Sequence, residues 1–270
     1  MPKFTSTEKI KLFKDESDNI GPQPLNLIYL SKCQKNQGLN NFFRTNYISA
    51  VPFKVEIGDL SLLYYHNYNL ELIICFTITP LKYTDQTIEF YELTMHPKLN
   101  YKNKKNNNNI KFPKINLQIY QIFCTFKFQL YSLIKSAIDY PKIHFCGYGD
   151  GGVLAAIASL FVSIYFPQFK VTCTTFGSPV CGNQSFVELY NKTISQSYRI
   201  VSADDAYPDL NINKKFKHIN TEILFSGNSL IELIHLPTKI NKFPISLVRY
   251  LHFFSQIKDE IKVNIDHLDS

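Results

Sequence analysis

The stretch Lys142-Ile143-His144-Phe145-Cys146-Gly147-Tyr148-Gly149-Asp150-Gly151-Gly152-Val153-Leu154-Ala155-Ala156 decides how this chain is read. A short apolar run stops at a glycine cluster and passes into a run of small, helix-forming residues. That pattern predicts a strand, a very tight turn and a helix. The glycines let the strand and helix backbones approach closely.

Downstream, the predicted helix runs over 152–165 and is closed by Phe166-Pro167. Residues 170–176 read as a strand ending at Gly177-Ser178-Pro179, 183–192 as a helix, and 197–201 as a strand ending in Ala203-Asp204-Asp205-Ala206-Tyr207-Pro208. Upstream, Leu117, Tyr120, Ile122, Phe123, Phe126, Leu130, Leu133 and Ile134 recur at helical spacing, predicting a helix over 115–138 that stops near Tyr140-Pro141. Residues 53–57 and 60–65 are β-prone, and 70–79 is almost continuously apolar, the mark of a strand covered on both faces. Alternating strands and helices predict an α/β class with a central, mostly parallel sheet and helices on both faces. Functional sites in such sheets lie at the carboxyl ends of the strands, where Gly149 and Asp205 both fall.

Length and composition fit a single domain over 1–270. Residues 1–50 are weakly periodic, with turn signals at Gly21-Pro22 and Gly38-Leu39-Asn40-Asn41, and are expected to form short helices covering the core. Residues 98–114, rich in Lys and Asn, form a low-complexity tract expected as a surface loop. Much of the +7 net charge lies there. No helix-turn-helix, zinc-finger or aromatic-basic RNA-binding pattern accompanies it, so no nucleic-acid partner is expected; contact with an anionic membrane surface is a secondary reading. No run of ~18 apolar residues suits a transmembrane helix. The first residues lack the apolar core of a secretory signal, so a cytoplasmic location is expected. The six cysteines, Cys33, Cys75, Cys124, Cys146, Cys173 and Cys181, lack the tight spacing of a zinc site or disulfide framework. Buried free thiols are the expectation, with no metal and no cofactor.

The strand-turn-helix has the outline of a nucleophile elbow, the G-x-S-x-G turn that holds a hydrolytic serine. Here the pattern reads Gly147-Tyr148-Gly149-Asp150-Gly151, with glycine at the nucleophile's place. With Gly152 it is similar to G-H-S-L-G-G, the elbow of the class 3, or fungal-type, lipases. Three further segments follow in that family's order. Thr175-Phe176-Gly177-Ser178-Pro179-Val180-Cys181-Gly182-Asn183 resembles T-F-G-x-P-R-V-G-N, and Arg199-Ile200-Val201-Ser202-Ala203-Asp204-Asp205-Ala206-Tyr207-Pro208 resembles R-V-V-N-x-x-D-x-V-P. Lys217-His218-Ile219-Asn220-Thr221-Glu222-Ile223-Leu224 resembles the segment H-x-G-x-E-x-W. The resemblance spans about residues 55 to 255 and implies the α/β-hydrolase fold, lipid metabolism and acylglycerol hydrolysis.

Acyl transfer on this fold needs a serine, a histidine, an acid and backbone donors for the oxyanion. The resemblance puts Asp205 at the acid's position and Gly149 at the nucleophile's. Tyr250 falls where D-H-x-x-Y-F carries its histidine, in Arg249-Tyr250-Leu251-His252-Phe253-Phe254, and F-R-G-T near an oxyanion donor has become Phe76-Thr77-Ile78-Thr79. Three catalytic features have therefore departed together. His252, two residues on, and His267 are fallback bases; Asp150 is a replacement nucleophile or a carboxylate capping the elbow helix. Cys146, His144 and His218 read as structural, and Asp205 as an acceptor of turn hydrogen bonds. The expected function is that of a catalytically inactive lipase-like protein acting by binding a protein partner or a lipid or acyl ligand. The alternatives are a lipid ester hydrolase with a non-standard nucleophile and a purely structural interaction scaffold.

Overall fold

A computed structural model describes residues 53–57, 60–66, 71–78, 81, 85–90, 112–210, 214–219, 221–225 and 250. The expected cover over 1–50, most of the 98–114 tract, and His252 and His267 lie outside the described residues.

Seven strands form the main sheet, in the order β1-β2-β3-β6-β7-β9-β11: β1 (Phe53–Ile57), β2 (Leu60–His66), β3 (Glu71–Ile78), β6 (Lys142–Tyr148), β7 (Lys170–Phe176), β9 (Ser197–Ser202) and β11 (Thr221–Phe225). The first two pairings are antiparallel and the other four parallel. The mostly parallel sheet predicted from the sequence is present. Every residue of β3 is buried, including Glu71 and Thr77 near its two ends, as a strand covered on both faces requires.

The register divides the sheet into two faces. Leu72, Ile74 and Phe76 of β3, Ile143 and Phe145 of β6, and Val171 and Cys173 of β7 point into one apolar cluster. Three helices contribute to that same cluster: α1 (Leu117–Ser136), α2 (Asp150–Tyr165) and α3 (Gln184–Thr193). The expected helices on both faces are thus described on one. The opposite face carries Ile73, Cys75, His144, Cys146, Thr174 and Phe176, equally buried.

Helix α2 is buried on almost every side, consistent with its small and apolar sequence. Phe123 and Phe126 of α1 lock onto it and onto the sheet, Phe123 meeting the Phe161 ring at 5.4 Å and Phe126 the Phe76 ring at 5.3 Å. The predicted start of α1 at residue 115 is corrected to 117. Residues 114–116 pair as a strand, and Asn116 caps the helix by accepting from the Gln118 and Ile119 amides.

That strand, β5 (Lys114–Asn116), belongs to a small antiparallel sheet with β4 (Thr87–Glu89), β8 (Gly182–Asn183) and β10 (Phe216–Lys217), in the order β10-β8-β5-β4. Lys114, placed in the surface tract by its composition, is therefore the first residue of a strand. Asn183 ties this sheet to α3: its Oδ1 accepts from the Lys114 and Phe186 amides, and its Nδ2 donates to the Phe112 carbonyl at 2.8 Å. The motif asparagine is a structural clamp.

Backbone proximity between β6, β3 and α2 fixes the elbow. A Cβ added to Gly147 would lie 2.1 Å from the Gly151 carbonyl oxygen, and one added to Gly151 would lie 2.3 Å from that of Phe76. Alanine at a helical glycine ordinarily stabilises a protein. Gly151→Ala is instead expected to destabilise this one by at least about 3 kcal/mol, because neither backbone can retreat. Chemical denaturation checks this; an unchanged or raised stability would contradict the packing described.

Candidate functional site

Strand β6 delivers the chain to Gly149, and α2 leaves from it. Gly149 has φ 55° and ψ −125°, a left-handed φ that glycine adopts without strain. Its amide donates to the Phe176 carbonyl at 2.9 Å, and its carbonyl accepts from the Gly152 amide. The elbow shape is kept with no nucleophilic side chain on it. A Cβ at Gly149 would meet the Tyr207 ring at 3.3 Å. The space above the elbow is thus occupied by an aromatic side chain.

Tyr207 is anchored by Asp150. The buried Asp150 carboxylate accepts from the Tyr207 hydroxyl at 2.8 Å and from the Leu81 amide at 2.8 Å, both through Oδ2. The expected capping role is corrected: Gly149 is the cap residue and receives no side-chain cap, while Asp150 lies in the first turn and reaches across to the segment beyond β3. A carboxylate remains favourable there because the helix N-terminus carries partial positive charge.

Asp205 follows β9 and is buried. Its Oδ1 accepts from the Tyr207 amide at 2.9 Å, the turn hydrogen bond expected of it. Its Oδ2 accepts from the Tyr250 hydroxyl at 2.7 Å, and that hydroxyl also accepts from the Ser202 amide at 3.2 Å. Tyr250 therefore stands beside the acid, where the resemblance puts a histidine, and satisfies the carboxylate. Its ring meets those of Tyr148 at 5.8 Å and Phe176 at 6.4 Å, both edge-on.

These contacts also fix the protonation states. Burial, then the Asp205 charge, pushes the Tyr250 phenol well above its ordinary range. Burial and Asp205 raise Tyr148 likewise, and burial and the Asp150 charge raise Tyr207. All three phenols are held protonated, Tyr207 donating to Asp150 and Tyr250 to Asp205, so none is a base at neutral pH. The structure brings Gly149, Asp150, Asp205 and Tyr250 together at one end of the sheet.

Tyr207 and Leu81 escaped the reading of the sequence. Tyr207 carried a signal, since it replaces the valine of D-x-V-P; Leu81 enters through a backbone amide that no side-chain pattern reveals. The other retained motif residues are structural. Arg199 on β9 forms an ion pair with Glu222, directly opposite on β11. His218 is held to about 4 by burial first and the Arg199 charge second. Cys146 is fully buried, as expected.

His144, on the elbow strand, is buried and contacts Thr172 Oγ1 through Nδ1 at 2.8 Å, while Nε2 has no hydrogen-bond partner among the described residues. Burial lowers its pKa from 6.5 to about 3. Below pH 6.5 the unfolded chain binds a proton that the folded chain refuses, so stability falls as pH falls towards 3. Between pH 7 and pH 5 this one group should remove about 2 kcal/mol. Because His218 also costs stability over the same pH range, urea unfolding at both pH values is expected to show a loss about 2 kcal/mol larger in the native sequence than in His144→Asn; equal losses would contradict a buried neutral imidazole.

The sequence model of the family described as Lipase (class 3) matches residues 84–215. No curated protein sequence matches the chain. Among solved structures, the chain is similar to lipase II from Rhizopus niveus, with a TM-score of 0.60, 14% identity and 82% of each chain covered. It is also similar to a triacylglycerol lipase from Penicillium expansum (TM-score 0.59, 13% identity, 84% of this chain and 82% of that one). A third is the Rhizomucor miehei triacylglyceride lipase (TM-score 0.58, 14% identity, 82% and 81% covered). At these identities the likeness to solved structures is one of fold, the α/β-hydrolase fold. The family match takes in the elbow, the Asp205 segment and the strands between them, so the chain is similar to the class 3 lipases over this central part.

Proposed function

We propose that this protein uses a lipase fold without ester hydrolysis by a serine triad, and acts by binding a protein partner. The observation that carries the reading is the elbow: glycine at its apex, with Tyr207 close against it. Acyl transfer through a serine or a surrogate needs a nucleophile within reach of a base. Gly149 supplies no nucleophile, and Tyr250 is a protonated donor to Asp205. Triad members act as a unit, so loss of the nucleophile alone leaves only the residual rate from binding and oxyanion donors.

Asp150 is the remaining candidate nucleophile. Its Oδ2 is engaged by the Leu81 amide and the Tyr207 hydroxyl, which favours a structural carboxylate over an attacking one. A protein partner is favoured over a lipid or acyl ligand because Tyr207 and Tyr250 occupy the neighbourhood of Gly149 and Asp205, where an acyl chain's reacting end would sit.

The purified full chain is expected to release no acid from short-chain p-nitrophenyl esters or long-chain acylglycerols, and to take no label from a fluorophosphonate. Turnover that survives Gly149→Ala and disappears in Asp150→Asn would overturn the reading. Native mass spectrometry should find the protein free of lipid; a stoichiometric bound lipid would contradict the choice of a protein partner.

A further inference from the structure

Below the elbow, β3 and β6 run parallel with Cys75 directly opposite Cys146. Both are fully buried, and their Sγ atoms are 2.9 Å apart. The two thiols sit on the sheet face away from α1, α2 and α3, between Ile73 and His144 on one side and Thr77 and Tyr148 on the other along their strands. Two unbonded sulfurs rarely come this close. A disulfide requires about 2.05 Å, so forming one closes a gap of under about 1 Å between strands that the ladder already holds in register. The other described cysteines stand elsewhere: Cys173 on the opposite face, Cys124 on α1, and Cys181 just before β8.

We propose that Cys75 and Cys146 are a redox-active pair that closes into a cross-strand disulfide joining β3 to β6. The oxidant is a low-molecular-weight disulfide of the glutathione class. One protein thiolate attacks a sulfur of the donor, releasing one small thiol and forming a mixed disulfide. The second protein thiolate then displaces the other small thiol. Two protein thiols lose two protons and two electrons in total, and the donor disulfide becomes two thiols.

Burial and the neighbouring Cys75 thiol push the Cys146 thiol well above its ordinary range. Exchange in the closed native state is therefore slow, and the bond forms during folding or local opening. The bond would span 71 residues of chain, a long loop whose closure removes much freedom from the unfolded state. It would also tie together the two strands that lead to Leu81 and to Asp150, whose hydrogen bond joins the two halves of the site.

The test is a titration of the full chain in glutathione buffers stepped from fully reduced to fully oxidised. Samples are quenched in acid, denatured, alkylated with N-ethylmaleimide and mapped by mass spectrometry. At the oxidising end the expected result is a Cys75–Cys146 linked peptide, with the other four of the six cysteines alkylated. The oxidised form should melt several degrees above the reduced form, and this difference should vanish in Cys75→Ser and in Cys146→Ser. Slow access alone could leave native thiols reduced, so the same titration is also made on chain refolded from denaturant in those buffers. The proposal is overturned if, in the refolded chain, both cysteines are still alkylated at the most oxidising ratio, each carries glutathione, or either is linked to another cysteine.

Discussion

Among the described residues, the closest constraint is backbone against backbone at the elbow. Helix α2 starts so near β6 and β3 that a single methyl group at Gly147 or Gly151 would overlap a carbonyl oxygen. That approach sets the height of α2 above the sheet, and with it the depth of the aromatic layer contributed by Phe76, Phe123, Phe126 and Phe161. It also fixes where the chain emerges at Gly149. The glycine pattern is thus retained for packing, and it does not require that the residue between the glycines do chemistry.

With the elbow held in place, the surrounding site has been satisfied from within. Two carboxylates, Asp150 and Asp205, are buried at the carboxyl end of the sheet, and each needs donors to offset its desolvation. The Tyr207 hydroxyl and Leu81 amide serve Asp150; the Tyr250 hydroxyl and Tyr207 amide serve Asp205. Tyr207 therefore bridges the two acids, one through its side chain and one through its backbone. Such an arrangement resists change in parts: removing one tyrosine leaves a buried carboxylate short of a donor.

The sequence made the architecture legible because the decisive features are local and repeated. The boundaries of β7 follow from the β-prone run over 170–176 that Gly177-Ser178-Pro179 ends, and α3 lies within one residue of the helix read over 183–192. The start of α1 was less legible, since Ile115 fits the helical spacing yet pairs in a strand, a choice made by partners distant in the chain. At the site, the resemblance assigned Gly149 and Tyr250 to the positions of a serine and a histidine and Asp205 to that of the acid, and the structure brings these residues close to one another. What those substitutions do for each other was not legible. The Tyr207–Asp150 contact joins residues 57 apart and the Cys75–Cys146 contact residues 71 apart. Neither has a sequence periodicity, because each depends on the register of parallel strands and on the path of a turn.

The claim at the centre of this account is that Tyr250 and Asp205 form one coupled structural unit where a catalytic histidine and acid would otherwise stand. A double-mutant cycle measures this directly, comparing the unfolding free energies of Tyr250→Phe, Asp205→Asn and the double variant with that of the native chain. A buried hydrogen bond to a carboxylate predicts a coupling energy of about 1.5–3 kcal/mol. Additive single effects, with coupling near zero, would contradict the account.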